Sequence, residues 1–221
     1  MKLPTRGRYA LAAGCAAALA ALVVAVPSFA GGDKTTTCDG VLASGTYQKV
    51  VVPAGAACFA EAPVTIKGGL SVGAGATFVL GDEEHPGDNG TISGGVRSQN
   101  AASVQIHFVT INGGVDLIGG SGPVGGPFGI TWNTIEDSVI HGSVNISGYN
   151  GYWQGFFRNT VNGSVNFNNN VVVDLDGNEF QTNTIHGSLN CSGNTPKPQS
   201  GDSGGSPNTV TGSEKGQCKG L

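Results

Sequence analysis

The sequence predicts an all-β fold, a parallel β-solenoid of about seven to eight coils with its ends stapled by disulfides. Three observations carry this expectation. A seven-residue phrase keeps returning: IKGGLSV from Ile66, ISGGVRS from Ile92, INGGVDL from Ile111, IHGSVNI from Ile140, VNGSVNF from Val161 and IHGSLNC from Ile185. The starts lie 26, 19, 29, 21 and 24 residues apart, and a worn copy, VTGSEKG, follows 25 residues later at Val210. Self-similarity at such a period marks a solenoid. Within the phrase, apolar side chains hold the first, fifth and usually seventh positions, the in–out alternation of a strand with one buried face. No stretch carries amphipathic helical spacing, and the coils are too short for βαβ units of about 30 residues. Three short parallel strands per coil fit the available length.

From the N-terminus, Lys2, Arg6 and Arg8 precede an apolar, alanine-rich run from about Tyr9 to Val26, then Pro27-Ser28-Phe29-Ala30. This is the layout of a secretory signal peptide, residues 1–30, cleaved after Ala30. No later run is long enough to span a bilayer, so the expected product is a secreted, soluble monomer without membrane insertion, one domain over residues 31–221. Losing three basic and no acidic residues moves the formal charge from −4 to −7. Such a surface argues against nucleic acid as a partner.

Cys15 leaves with the leader, and Cys38, Cys58, Cys191 and Cys218 remain. An even count in an exported chain predicts two disulfides. Of three possible pairings, 38–58 with 191–218 closes short loops at the two ends, where a solenoid would otherwise fray. These segments are the expected N-terminal and C-terminal caps.

Alternation sends Ile140, Val144 and Ile146 inward and His141, Ser143 and Asn145 outward. Glycine at the inward third position, Gly142 in this copy, predicts a corner or close backbone approach in every coil. Stacked at about 4.8 Å, Ile66, Ile92, Ile111, Ile140, Val161, Ile185 and Val210 form an interior ladder. Asp116, Asn145, Asn166 and Asn190 form an exterior one, and Asn159, Asn183 and Asn208 are expected to form another. Gly193–Pro207, GNTPKPQSGDSGGSP, reads as a long loop with almost nothing to bury. Glu214 and Lys215 make the last copy polar, as a cap requires.

On these phrases the chain resembles the right-handed, single-stranded parallel β-helices of the broad pectate-lyase-like class. Residues 45–80, GTYQKVVVPAGAACFAEAPVTIKGGLSVGAGATFVL, also resemble the opening of small exported β-helix proteins common in actinobacteria. The likeness covers roughly residues 38–218. It implies backbone shape rather than a reaction, since the class holds polysaccharide lyases and hydrolases, adhesins and purely structural proteins. Handedness otherwise follows only from the general preference for right-handed parallel crossovers.

Candidate chemistry is sparse. Gly201-Asp202-Ser203-Gly204-Gly205 matches the surroundings of a serine-protease nucleophile, but the histidine base and the two-barrel scaffold of that chemistry have no place here. Asp174, Asp176 and Asn178 are the best metal candidates: with Leu175 pointing inward, two carboxylates would share a face about 7 Å apart, and oxygen ligands suit calcium. Arg158, one coil earlier, would complete a lyase-like pair of cation and arginine, although neither the acidic cluster nor the arginine motif of such enzymes matches residue by residue. His141 and His186 stack two coils apart with Asn162 between, too distant to share one zinc ion. The acidic turn around His85, GDEEHPGDNG, is a weaker cation candidate. Tyr149, Tyr152 and Trp153 concentrate aromatic surface, and with Asn145 and Asn166 they are the expected carbohydrate-binding residues. An outward Thr-x-Thr array, the pattern for ice binding, does not persist over several coils. The expected function is an exported, non-catalytic β-helix that binds a polysaccharide or other cell-surface polymer or serves structurally, without an obligatory cofactor. The alternative is a calcium-dependent, polysaccharide lyase-like enzyme.

Overall fold

Corner residues interrupt the chain every few positions, and each coil is therefore three short strands rather than one long one. The computed structural model describes residues 34–82, 86–122, 132–201 and 204–221. The expected leader, His85 and Ser203 lie outside them. The described part of Gly32–Leu221 forms three parallel sheets and carries no helix. Sheet A has nine strands, from Thr35–Thr37 to Glu214–Gly216; sheet B has seven, from Gly40–Leu42 to Asn178–Gln181; sheet C has eight, from Gly45–Tyr47 to Thr209–Val210. The chain visits A, B and C in turn, and each strand pairs in parallel with its counterparts one coil before and one coil after. This is the β-solenoid of about seven turns that the repeat predicts.

The recurring phrase spans the corner from sheet C to sheet A. Its first residue ends a C strand and its fifth begins an A strand, as with Ile140 and Val144. Ile66, Ile92, Ile111, Ile140, Val161 and Ile185 are fully buried in register, and Val210 closes the ladder partly buried at the last coil. Under sheet B the interior column runs Leu80, Ile106, Ile135, Phe156, Phe180. There Phe156 and Phe180 stack with ring centroids 5.1 Å apart, and Phe167 meets Phe180 edge-on at 5.3 Å. Burial of these columns supplies the main drive to fold.

The third-position glycines pack backbone on backbone. A Cβ built on Gly142 would sit 2.6 Å from the Gly113 carbonyl oxygen, and one on Gly187 would sit 2.5 Å from that of Gly163. The corner is therefore a close approach of successive coils, as expected.

The asparagine ladder expected outside is inside. Asn159 and Asn183 are buried and Asn208 is half-buried. The cause lies one residue earlier, where Arg158 and Thr182 take left-handed backbone conformations, with φ of 52° and 57°. One left-handed residue between extended ones breaks the period-two alternation, so its successor turns inward. The inward amides then satisfy the bend's own backbone. Asn183 Oδ1 accepts the Asn159 N–H at 3.0 Å while its Nδ2 donates to the Phe156 carbonyl at 2.8 Å. A second interior amide ladder, Asn170–Asn194–Gln217, follows the same rule at the corner from A to B, behind Asn169, Gly193 and Gly216 at positive φ.

Both ends are stapled. Cys38–Cys58 and Cys191–Cys218 are disulfides, the local pairing. Gly193–Pro207 is more than a loop: part of it takes the place of a B strand in the last coil. The Phe180 N–H donates to the Gln199 carbonyl at 2.9 Å, and the Gln199 N–H to that of Asn178 at 3.1 Å. Asn194 and Pro198 are buried there, against expectation. Pro196 and Pro198 offer no N–H, which keeps the pairing to isolated bridges and ends the sheet.

Candidate functional site

The outer face of sheet A holds the most regular polar surface. Ser71, Arg97, Asp116, Asn145, Asn166, Asn190 and Lys215 occupy one outward column in exact register. The asparagines are half-buried because their neighbours on adjacent coils hold them upright. Asn145 Nδ2 donates to Asp116 Oδ1 at 2.8 Å, and Asn190 Nδ2 donates to Asn166 Oδ1 at 3.1 Å. A shallow groove of about 270 Å³ runs beside this column, walled by Arg97, Asp116, Asn145 and Asn166 and floored by Gly94, Gly114 and Ser143. The small residues of the phrase make that floor, so the motif that shapes the corner also opens the groove. Amide donors and acceptors repeated at the coil spacing of about 4.8 Å are suited to hydroxyls on an extended chain.

The expected aromatic residues separate. Tyr149 follows Gly148, at φ 73°, and by the corner rule it turns away from solvent, where it is 2% exposed. Burial pushes its phenol up to about 12, opposed by the neighbouring Gly122 backbone. The Tyr149 ring lies beside Gly120 and Gly151 and presents no open face to solvent. Tyr152 is 46% exposed, and Trp153 is half-buried at the start of the B strand Trp153–Phe157. Trp153 lies over Gly155, meets Phe157 edge-on at 5.5 Å, and donates its Nε1–H to Glu179 Oε1 at 3.0 Å. Asn145 and Asn166 are on sheet A and Trp153 is on sheet B, on different faces of the solenoid. Trp132, on the preceding coil, is in register with Trp153 and exposed. Sequence spacing does not reveal this pair, because coil stacking across an irregular repeat sets its register.

The metal candidates also part company. Leu175 is 85% exposed rather than inward, because Asp174–Gly177 is a turn in which the Asp176 N–H donates to Asp174 Oδ1 at 3.3 Å. Asn178 is buried and points its Nδ2 to the Pro196 carbonyl at 2.8 Å. Among the described residues no group of three or more histidine, cysteine or acidic side chains is placed to hold a metal ion. Arg158 turns away from Asp174 and Asp176. It donates from Nε and Nη2 to the two oxygens of Asp137 at 2.7 and 2.8 Å, and from Nη2 to Glu136 Oε2 at 2.8 Å.

Glu136 is 1% exposed and also accepts from Thr134 Oγ1 at 2.6 Å, with His107 Nδ1 at 3.9 Å. Glu179, two coils on, is similarly buried between Trp153 and Gln181. These carboxylates stand at ordinary outward strand positions, and nothing in their immediate sequence distinguishes them from solvated ones. His141 and His186 lie in one exposed column, where Asn162 Nδ2 meets His141 Nδ1 at 2.9 Å.

No protein-family model, curated protein or solved structure matches the chain. Among the described residues no helix is long and apolar enough to cross a membrane.

Proposed function

We propose that the protein is an exported, non-catalytic β-solenoid that binds a hydroxyl-rich polymer, most simply a polysaccharide, along the outer face of sheet A. The observation that carries this reading is the in-register column Asp116–Asn145–Asn166–Asn190 beside its small-floored groove. A polymer laid along the solenoid axis would meet the same amide in successive coils, so weak contacts add without new folding cost. Tyr152 adds an exposed ring around the corner. Export is supported by the leader-like residues 1–30 and by two disulfides, which persist in oxidising compartments. The finer likeness to the pectate-lyase-like class belongs to this proposal as a likeness of shape. The non-catalytic reading is preferred to the calcium-dependent lyase because Arg158 is engaged with Glu136 and Asp137.

The test is co-sedimentation of the purified exported protein with insoluble peptidoglycan, chitin, cellulose and pectin, assaying both depletion and released sugar. Depletion without release, weakened by Asn145→Ala with Asn166→Ala, is the expected result. Calcium-dependent release of unsaturated sugars would overturn it in favour of a lyase.

A further inference from the structure

Sheet C carries a feature that differs from the other two faces. Its outward mid-strand column reads Thr46, Thr65, Thr91, Thr110, Val139, Thr160, Thr184, Thr209, each paired in register with the next. Seven of eight consecutive coils place a threonine at this point, and the eighth places the β-branched valine closest to it in shape. Strand propensity explains a threonine at any one of these positions. It does not explain the recurrence, because the corresponding column on sheet A changes through Ser71, Arg97, Asp116 and Asn145. The threonine rank is half-buried to exposed along its whole length. Its hydroxyls are not tied to one another as the sheet A amides are.

We infer that this face of sheet C binds ice. The rank offers a hydroxyl, both donor and acceptor, beside a methyl at each step of about 4.8 Å, over a length of about 34 Å. A small ligand that touches one or two coils gains nothing from such repetition, whereas a crystalline lattice of hydrogen-bonding sites meets every step at once. The rank contains no charged and no aromatic residue. It also lacks the carboxylate and amide groups that sheet A offers to sugar hydroxyls, so ordered water is the better partner. β-Branched side chains are restricted at χ1, and the solenoid fixes their backbone, so little entropy is lost on contact. The next outward column, Lys67, Ser93, Asn112, His141, Asn162, His186 and Thr211, is irregular. A two-column array is indeed absent, and a single rank matches the lattice along one direction only. Moderate activity, shaping and slowing crystal growth rather than halting it across a wide supercooling range, is the consequence.

The experiment is nanolitre cryoscopy with ice-recrystallisation assays on the purified exported protein. The expected result is faceted ice crystals with a measurable gap between melting and freezing. That gap should be lost in Thr110→Lys with Thr160→Lys and retained in Asn145→Ala with Asn166→Ala. Circular dichroism melting of each variant separates loss of the face from loss of the fold. A single Thr110→Lys variant, with one replacement on the surface, should lose part of the gap while melting as the unmodified protein does. Round, unshaped crystals with the unmodified protein would overturn the inference, as would full activity in the double lysine variant. Concentration-dependent self-association abolished by the lysines, without ice activity, would reassign the face to contact between copies.

Discussion

Replacing Asn183 by leucine tests the corner rule at its most demanding point. Asn183 is 1% exposed, and its amide serves two coils: Oδ1 accepts from the Asn159 N–H at 3.0 Å, and Nδ2 donates to the Phe156 carbonyl at 2.8 Å. Leucine repeats the branched heavy-atom skeleton of asparagine and leaves no cavity, so the main cost is polar, with crowding by its bulkier methyl groups added to it. Two buried backbone groups lose their partners at about 1–3 kcal/mol each. Asn208 Oδ1, which accepts from Asn183 Nδ2 at 2.8 Å, loses that donor as well. The expected destabilisation is about 3–5 kcal/mol, and for a chain of this size about 2–4 °C of melting temperature accompanies each kcal/mol. Thermal and urea melts of the disulfide-intact protein, followed by circular dichroism, should show a loss of about 6–20 °C. Asn190→Leu is the matched control, since that asparagine is on the outside of sheet A and its removal should cost about 0.5 kcal/mol or less. Equal melting of the two variants, or an Asn183→Leu protein within about 1 kcal/mol of the original, would refute the argument that the interior amides hold the corners.

Gly142→Ala should cost about 1–3 kcal/mol, because its Cβ would meet the Gly113 carbonyl oxygen at 2.6 Å, whereas Gly201→Ala, with nothing within 4 Å, should melt unchanged. Reducing both disulfides should cost about 2–4 kcal/mol each if the chain-entropy account holds, and the loss should begin at the two ends, as amide exchange across Cys38–Cys58 and Cys191–Cys218 would reveal. The Tyr149 phenol is raised to about 12 from 10.0, so the folded state keeps a proton that the unfolded chain releases between those values. Stability should therefore be intact below pH 10 and fall by about 2–3 kcal/mol as pH rises toward 12. Denaturant melts across that range should show the slope, and Tyr149→Phe should remove it.

Much of the architecture was legible without coordinates because the repeat is local. A phrase of seven residues contains the end of one strand, the corner and the start of the next, so alternation alone places Ile140 and Val144 inside and Asn145 outside. The disulfide pairing was legible for the same reason, since each pair bridges neighbouring coils at one end. Alternation failed beside Arg158 and Thr182, where the chain reads as continuous strand but the backbone turns left-handed. Such residues are rare outside glycine and asparagine, and neither arginine nor threonine announces them. That single conformation per corner sent Asn159 and Asn183 inward, and at the other corner Gly148 turned Tyr149 away from solvent.

The candidate sites depended on stacking, which sequence distance obscures when coils differ in length. Asn145 and Asn166 were paired correctly because both sit inside the phrase. Trp132 with Trp153, Arg158 with Glu136, and the threonine rank of sheet C all require knowing which residues share a column across coils of unequal length. By itself the sequence determined the repeat, the strand faces within each phrase and the stapled ends, because these follow from contacts within a phrase or between neighbouring coils. Only the tertiary structure decided which side chains stand together on each outer face and which corner residues turn inward. Those outcomes depend on coil register and on backbone conformations imposed by the neighbouring coils.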